Sequence, residues 1–216
     1  MRRMARVAVA ALVLAGGSPA LAQGEPGPAP APGPSQDTAH RHLGFFLQMD
    51  LGGGYLSTSA TSGGTTLKLS GGAGQFSIAI GGAVAENLIL GGHLWADAVS
   101  SPSVTLNGQA APTSGSATVG VTGIGFNVTY YFMPLNLYVQ ATPSITRVSL
   151  TQGGVTGNTE AGLGVRLAVG KEWWVSDHWG LGLNGHLALS ANKDQGSAAP
   201  TWGTGSVAVA FSATYN

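Results

Sequence analysis

The chain has 216 residues, nine Lys or Arg against nine Asp or Glu, no cysteine and a formal net charge of zero. So little charge leaves no basic face for nucleic acid, and the missing cysteines exclude a disulfide framework. Metal or cofactor chemistry has few groups to draw on, and neither is expected.

Residues 1–22 read as a secretory signal. Arg2, Arg3 and Arg6 form a positive start, residues 7–15 an apolar run, and Ala20-Leu21-Ala22 a small-x-small cleavage site. The apolar run is too short for the roughly 20 residues of a spanning helix. Cleavage removes three basic and no acidic groups, so the mature chain keeps six against nine. Residues 23–42 form a Pro/Ala-rich linker whose prolines favour extended polyproline II over helix or central strand. His40, Arg41 and His42 close it and form a small basic cluster that could meet anionic headgroups.

After Leu43 no 18-residue apolar window exists, which excludes spanning helices. Period two dominates instead. Strands are predicted near 43–59, 67–84, 88–99, 116–132, 136–149, 159–175, 180–191 and 202–216. In the first, Phe45, Leu47, Met49 and Leu51 share one face, and Gln48, Asp50 and Gly52 the other. In the sixth, Leu163, Val165, Leu167 and Val169 oppose Gly162, Gly164, Arg166 and Ala168. In the seventh, Leu181, Leu183, Leu187 and Leu189 oppose Gly182, Asn184, His186 and Ser190. The last sets Val207, Val209, Phe211, Ala213 and Tyr215 against small and polar residues. A soluble sandwich would show the same alternation.

Connection lengths and aromatics separate the two. Tight turns at 85–87, 133–134 and 176–178 alternate with longer Gly/Ser/Thr connections near 60–66, 100–115, 150–158 and 192–201. Outer-membrane barrels have short periplasmic turns and longer extracellular loops. Ten of the 16 aromatics flank the tight-turn end. Phe45, Phe46, Tyr130, Tyr131, Trp173, Trp174, Trp179 and Tyr215 among them are assigned to an interfacial girdle. Tyr55, Trp95 and Trp202 are candidates for the opposite girdle.

On this strand count, loop asymmetry, girdle and aromatic last strand, residues 43–216 resemble the small eight-stranded outer-membrane barrels. These are the OmpA transmembrane domain and the OmpX-like outer-membrane β-barrel domain family. The resemblance implies an all-β, eight-stranded antiparallel up-and-down barrel in the bacterial outer membrane. It implies extracellular loops, a periplasmic linker and periplasmic tight turns, with outer-membrane lipids as partners and a monomeric state. In that family the last strand is read by the barrel-insertion machinery. Phe211 and Tyr215 match its apolar positions, and the chain departs by ending on Asn216. No peptidoglycan-binding domain is expected after it.

The inward face would carry a polar network of Asp50, His93, Asp97, Arg166, Glu172 and His186. Asp50 and Glu172 are natural partners for Arg166, and His186 falls near Arg166 by counting from the turn at Asp177. Such a network is structural in a filled small barrel; the alternative is an ion gate or ligand site. Many inward positions are Gly or Ala, which suggests either a partly hydrated lumen or close strand packing.

An enzyme is not expected. His186 and Ser190 lie about 13 Å apart along a strand at ~3.3 Å per residue, and His93 and Asp97 have no serine partner. No G-x-S-x-G, H-E-x-x-H or phosphate-loop motif occurs. A lipocalin-like soluble barrel would turn the nearly uncharged polar face to water, where it would be poorly soluble. The expected role is structural or surface-interactive, with a small passive pore as the alternative and a lipid-modifying enzyme behind it.

Overall fold

The computed structural model describes residues 42–112, 116–196 and 199–216. The predicted signal and all of the linker before His42 lie outside them. Among the described residues the fold is all-β, with eleven strands: β1 (Phe45–Ser62), β2 (Thr65–Ala85), β3 (Leu88–Ser100), β4 (Ser103–Leu106), β5 (Gln109–Ala110), β6 (Ala117–Phe132), β7 (Leu137–Gln152), β8 (Val155–Asn158), β9 (Gly162–Trp174), β10 (Trp179–Lys193) and β11 (Thr201–Tyr215).

Eight of these close on themselves in the order β1-β11-β10-β9-β7-β6-β3-β2, and β2 pairs back to β1. Every pairing is antiparallel. This is the closed eight-stranded up-and-down barrel implied by the resemblance. Closure removes both sheet edges, so no barrel strand offers an unpaired backbone row.

The short β4, β5 and β8 belong to the connections. Among the described residues, more of that end is strand than its composition suggests. The predicted connection at 60–66 is a two-residue turn at Gly63-Gly64, both at positive φ, and β1 and β2 pair up to Ser62↔Thr65. Gly153-Gly154 and Asn107-Gly108 turn the β7–β8 and β4–β5 hairpins in the same way. Two consecutive positive-φ residues match the twist of the flanking strands, which glycine and asparagine permit. Cross-strand hydroxyl pairs Thr61–Thr66 and Thr151–Thr156, both at 2.8 Å, zip the hairpin stems.

Alternation sorts the faces as expected. Leu51, Phe76, Ile124, Val139, Leu163, Val169, Leu181, Val209 and Phe211 point outward and are exposed on the barrel wall. Soluble monomers rarely expose so large a contiguous apolar surface.

Candidate functional site: the barrel interior

Inward side chains form three tiers along the barrel axis. The tier nearest the tight turns packs Phe46, Ile89, Tyr131 and Tyr138 with Ala79. The tier nearest the hairpins packs Leu56, Leu69, Trp95, Val99, Val119, Val121 and Val148. The predicted polar network lies between them.

Arg166 is the hub and is 1% exposed. Its Nη2 lies 3.7 Å from Asp50 Oδ2 and 3.1 Å from His186 Nδ1. Its Nη1 donates to Gln140 Oε1 at 3.3 Å and meets His93 Nε2 at 3.4 Å. The Arg166–Asp50 and Arg166–His186 pairings expected from the sequence are therefore present. Asp50 also accepts from Ser77 Oγ at 2.7 Å and Asn184 Nδ2 at 3.1 Å. Gln140 extends the chain to Gln48 at 2.9 Å, and Gln48 donates to the Tyr138 hydroxyl at 2.9 Å. His93 meets Thr142 Oγ1 at 2.9 Å, and Thr142 donates to Asn127 at 3.2 Å. Matching donors to acceptors gives His93 its proton on Nδ1, leaving Nε2 to accept from Arg166.

Two predicted members sit outside this hub. Glu172 is not an Arg166 partner: its Oε1 accepts from Tyr131 Oη at 3.2 Å and Thr214 Oγ1 at 2.6 Å, in the aromatic tier. Asp97 accepts from Ser206 Oγ at 2.5 Å and lies 3.7 Å from His186 Nε2. Ser206 thus donates to the Asp97 carboxylate and does not meet a histidine.

The girdle assignment needs correction. Phe45, Tyr130, Trp173 and Trp179 face outward, and Tyr215, half-buried, rests its ring against Trp179 and Phe45. Phe46 and Tyr131 are fully buried in the lumen, and Trp174 turns inward toward the His42 ring. Neighbouring residues of a strand point to opposite faces, so each aromatic doublet splits. Trp95 likewise belongs to the lumen, donating Nε1–H to Ser144 Oγ at 3.0 Å, while Tyr55 is exposed and outward.

Two of the inward glycines, Gly123 and Gly170, give room to large rings, which favours the close-packing alternative at those levels. A Cβ on Gly123 would lie 2.4 Å from the Trp95 indole, and one on Gly170 would lie 2.4 Å from the Tyr138 ring. Each glycine is the direct cross-strand partner of the ring that covers it. The missing side chains are the space in which the large rings lie.

His42, expected in a basic cluster facing anionic headgroups, is instead buried and closes the tight-turn mouth. Its ring is fully buried and stacks on Tyr131, with centroids 3.4 Å apart. Its nitrogens meet Asn136 Oδ1 at 2.7 Å and Asn216 Oδ1 at 2.9 Å. The segment before β1, the β6–β7 turn and the C-terminal residue are thereby tied together. Burial holds His42 below its ordinary pKa, against the opposing hydrogen bonds from Asn136 and Asn216. The neutral ring has one donor and one acceptor nitrogen, so one of the two amides turns its NH2 toward it.

No protein-family model matches the chain, and no curated protein matches it in sequence. Among solved structures it is similar to Neisserial surface protein A, at 17% identity over 79% of this chain and 96% of that one, with a TM-score of 0.49. It is also similar to the outer-membrane protease OmpT of Escherichia coli, at 9% identity over 80% and 96%, TM-score 0.49. A third is the outer-membrane protein OprG of Pseudomonas aeruginosa, at 11% identity over 82% and 99%, TM-score 0.47.

Proposed function

We propose that this chain is a monomeric integral barrel of the bacterial outer membrane, with a structural or surface-interaction role and no catalysis. The observation that carries the reading is an inside-out distribution of side chains. The apolar face is the exposed one and the polar face is buried, as lipid outside and a narrow lumen inside require. The aromatic-rich turn end faces the periplasm and the hairpins face the exterior. Three outward cations, Lys68, Arg147 and Lys193, lie on the hairpin half, where they would meet anionic headgroups. The last strand, with Phe211 outward and Tyr215 at the girdle, is the segment offered to the insertion machinery.

A passive pore is disfavoured by the filled lumen. Trp95, Arg166, Tyr131, Tyr138 and Phe46 are each at most 1% exposed and block three successive levels. Interior water can satisfy isolated groups such as the Gln75 amide without forming a continuous path. Planar-bilayer recording of refolded protein is the test, with a closed barrel verified by heat-modifiable gel migration. Silence at all voltages is expected, and stepwise conductance would replace this reading with the pore. Recovery as a soluble monomer without detergent would sink the membrane assignment altogether.

A further inference from the structure

Above the hairpin-side tier, the barrel mouth holds a cavity of about 270 Å³. Its walls are Leu69 of β2, Val119 of β6, Val148 and Leu150 of β7 and Trp202 of β11, with Gly157, Asn158, Thr159, Asp194 and Gln195 along one side. We propose that this cavity is a binding site for small, neutral, mainly apolar molecules of about the size of a two-ring aromatic, open to the exterior and closed toward the lumen.

Position makes the composition informative. Inward residues at the mouth of an outer-membrane barrel meet water and are ordinarily polar. Here four barrel strands turn Leu, Val and Trp inward beyond the polar tier, where exposing apolar surface costs free energy. An apolar lining with a few polar groups on one wall is the usual composition of a small-molecule site. An enclosed apolar cavity of about 150 Å³ accepts benzene, and this one is larger.

The polar wall narrows the class. Among the described residues no Lys or Arg lines the cavity, so none of them would balance an anionic ligand. Asp194 is already engaged, accepting from Trp202 Nε1 at 3.2 Å and from the Gln195 amide at 2.8 Å. Thr159 accepts from the Val148 N–H at 3.1 Å and donates to the Glu160 carbonyl at 2.9 Å. The Asn158 and Gln195 side chains remain to orient a hydroxyl or carbonyl on an otherwise apolar body. The space itself depends on Gly157. It pairs directly with Leu150, so a side chain there would face the same way, and an added Cβ meets nothing closer than 4.0 Å.

The test uses the barrel refolded in phosphatidylcholine nanodiscs, with 2-naphthol as probe and Leu/Val methyl NMR as readout. Saturable shifts are expected at Leu69, Val119, Val148 and Leu150. The lipid-facing Val169 and Val209 should shift only in proportion to probe dissolved in the bilayer. Gly157→Leu fills the cavity and should weaken binding at least fivefold while keeping heat-modifiable migration; if that variant does not fold, Leu150→Trp serves the same purpose. Shifts that fail to saturate, that are as large at Val169 and Val209, or that survive the filling variant with less than a fivefold loss would overturn the proposal.

Discussion

Replacing Arg166 by Met tests whether the lumen is held by its polar hub. Met keeps much of the side-chain bulk but removes the only cation within 4 Å of Asp50 among the described residues. Asp50 keeps Ser77 and Asn184 as donors, while Gln140 Oε1, His93 Nε2 and His186 Nδ1 each lose one. Breaking a buried pair from one side costs about 3–5 kcal/mol, because an uncompensated charge is left behind. Asp50→Asn should cost a similar amount from the other side. The double variant removes both charges together, so its loss should fall short of the sum by about 0.5–3 kcal/mol, the range for residues in direct contact. Urea unfolding of barrels refolded in lipid vesicles, followed by gel mobility, gives the four free energies. A loss below about 1 kcal/mol for Arg166→Met, or strict additivity, would refute the hub.

Three other outcomes follow from the same structure. Val209→Arg places a charge on the exposed wall midway along β11 and should cost about 2–4 kcal/mol if that wall faces the bilayer interior; in lipid-vesicle unfolding, a cost near zero would argue against lipid contact there. Gly123→Ala drives a methyl into the Trp95 indole at 2.4 Å and should destabilise by about 1–3 kcal/mol through overpacking, with Trp95→Gly in the same chain relieving that strain. Burial lowers the His42 pKa, outweighing the Asn136 and Asn216 hydrogen bonds, so the unfolded or undocked state takes up a proton first. The docking contribution should be fully present above the ordinary value near 6.5 and fall as pH drops below it. Trp174, 5.2 Å from the His42 ring, offers a fluorescence readout; a pH profile unchanged by His42→Ala would reject the docking role.

The barrel was legible because period two survives everywhere a strand has one apolar wall exposed and the other facing the lumen. Strand bounds near the tight turns agree to within two residues, since Glu86-Asn87 and residues 175–178 leave little freedom. They were less legible at the other end, where Gly, Ser and Thr read as loop but form hairpin stems turned by Gly63-Gly64 and Gly153-Gly154. The neighbourhood of Arg166 and His186 could be placed by counting along β9 and β10. Its extension through Gln140, Gln48 and Tyr138 could not, because that path crosses strands far apart in sequence and needs the register. The aromatic doublets carried a signal that a count of aromatics ignores: in Phe45-Phe46, Tyr130-Tyr131 and Trp173-Trp174 one ring must point inward. Trp95 shares a face with His93 and Asp97, so its place in the lumen was readable from the same alternation.

The ring-on-glycine pairs explain how so uncharged a sequence specifies one closed barrel. A slip of one residue between β3 and β6 would move Trp95 from Gly123 to Thr122 or Ile124, and would send apolar residues into the lumen and polar ones onto the outer wall. Between β7 and β9, the same slip would set Tyr138 against Lys171 or Val169. Each ring therefore reads its neighbour's register through a position where only glycine leaves room. The polar hub adds a second constraint, since Arg166 reaches Asp50 and His93 across the lumen only when β1, β3 and β9 are all in place. Closure and filling are thus one event: the residues that exclude a bore are those that fix the strand order. A lumen built this way can be emptied only by loosening the barrel, which leaves the hairpin mouth as the part of the interior free to take a ligand.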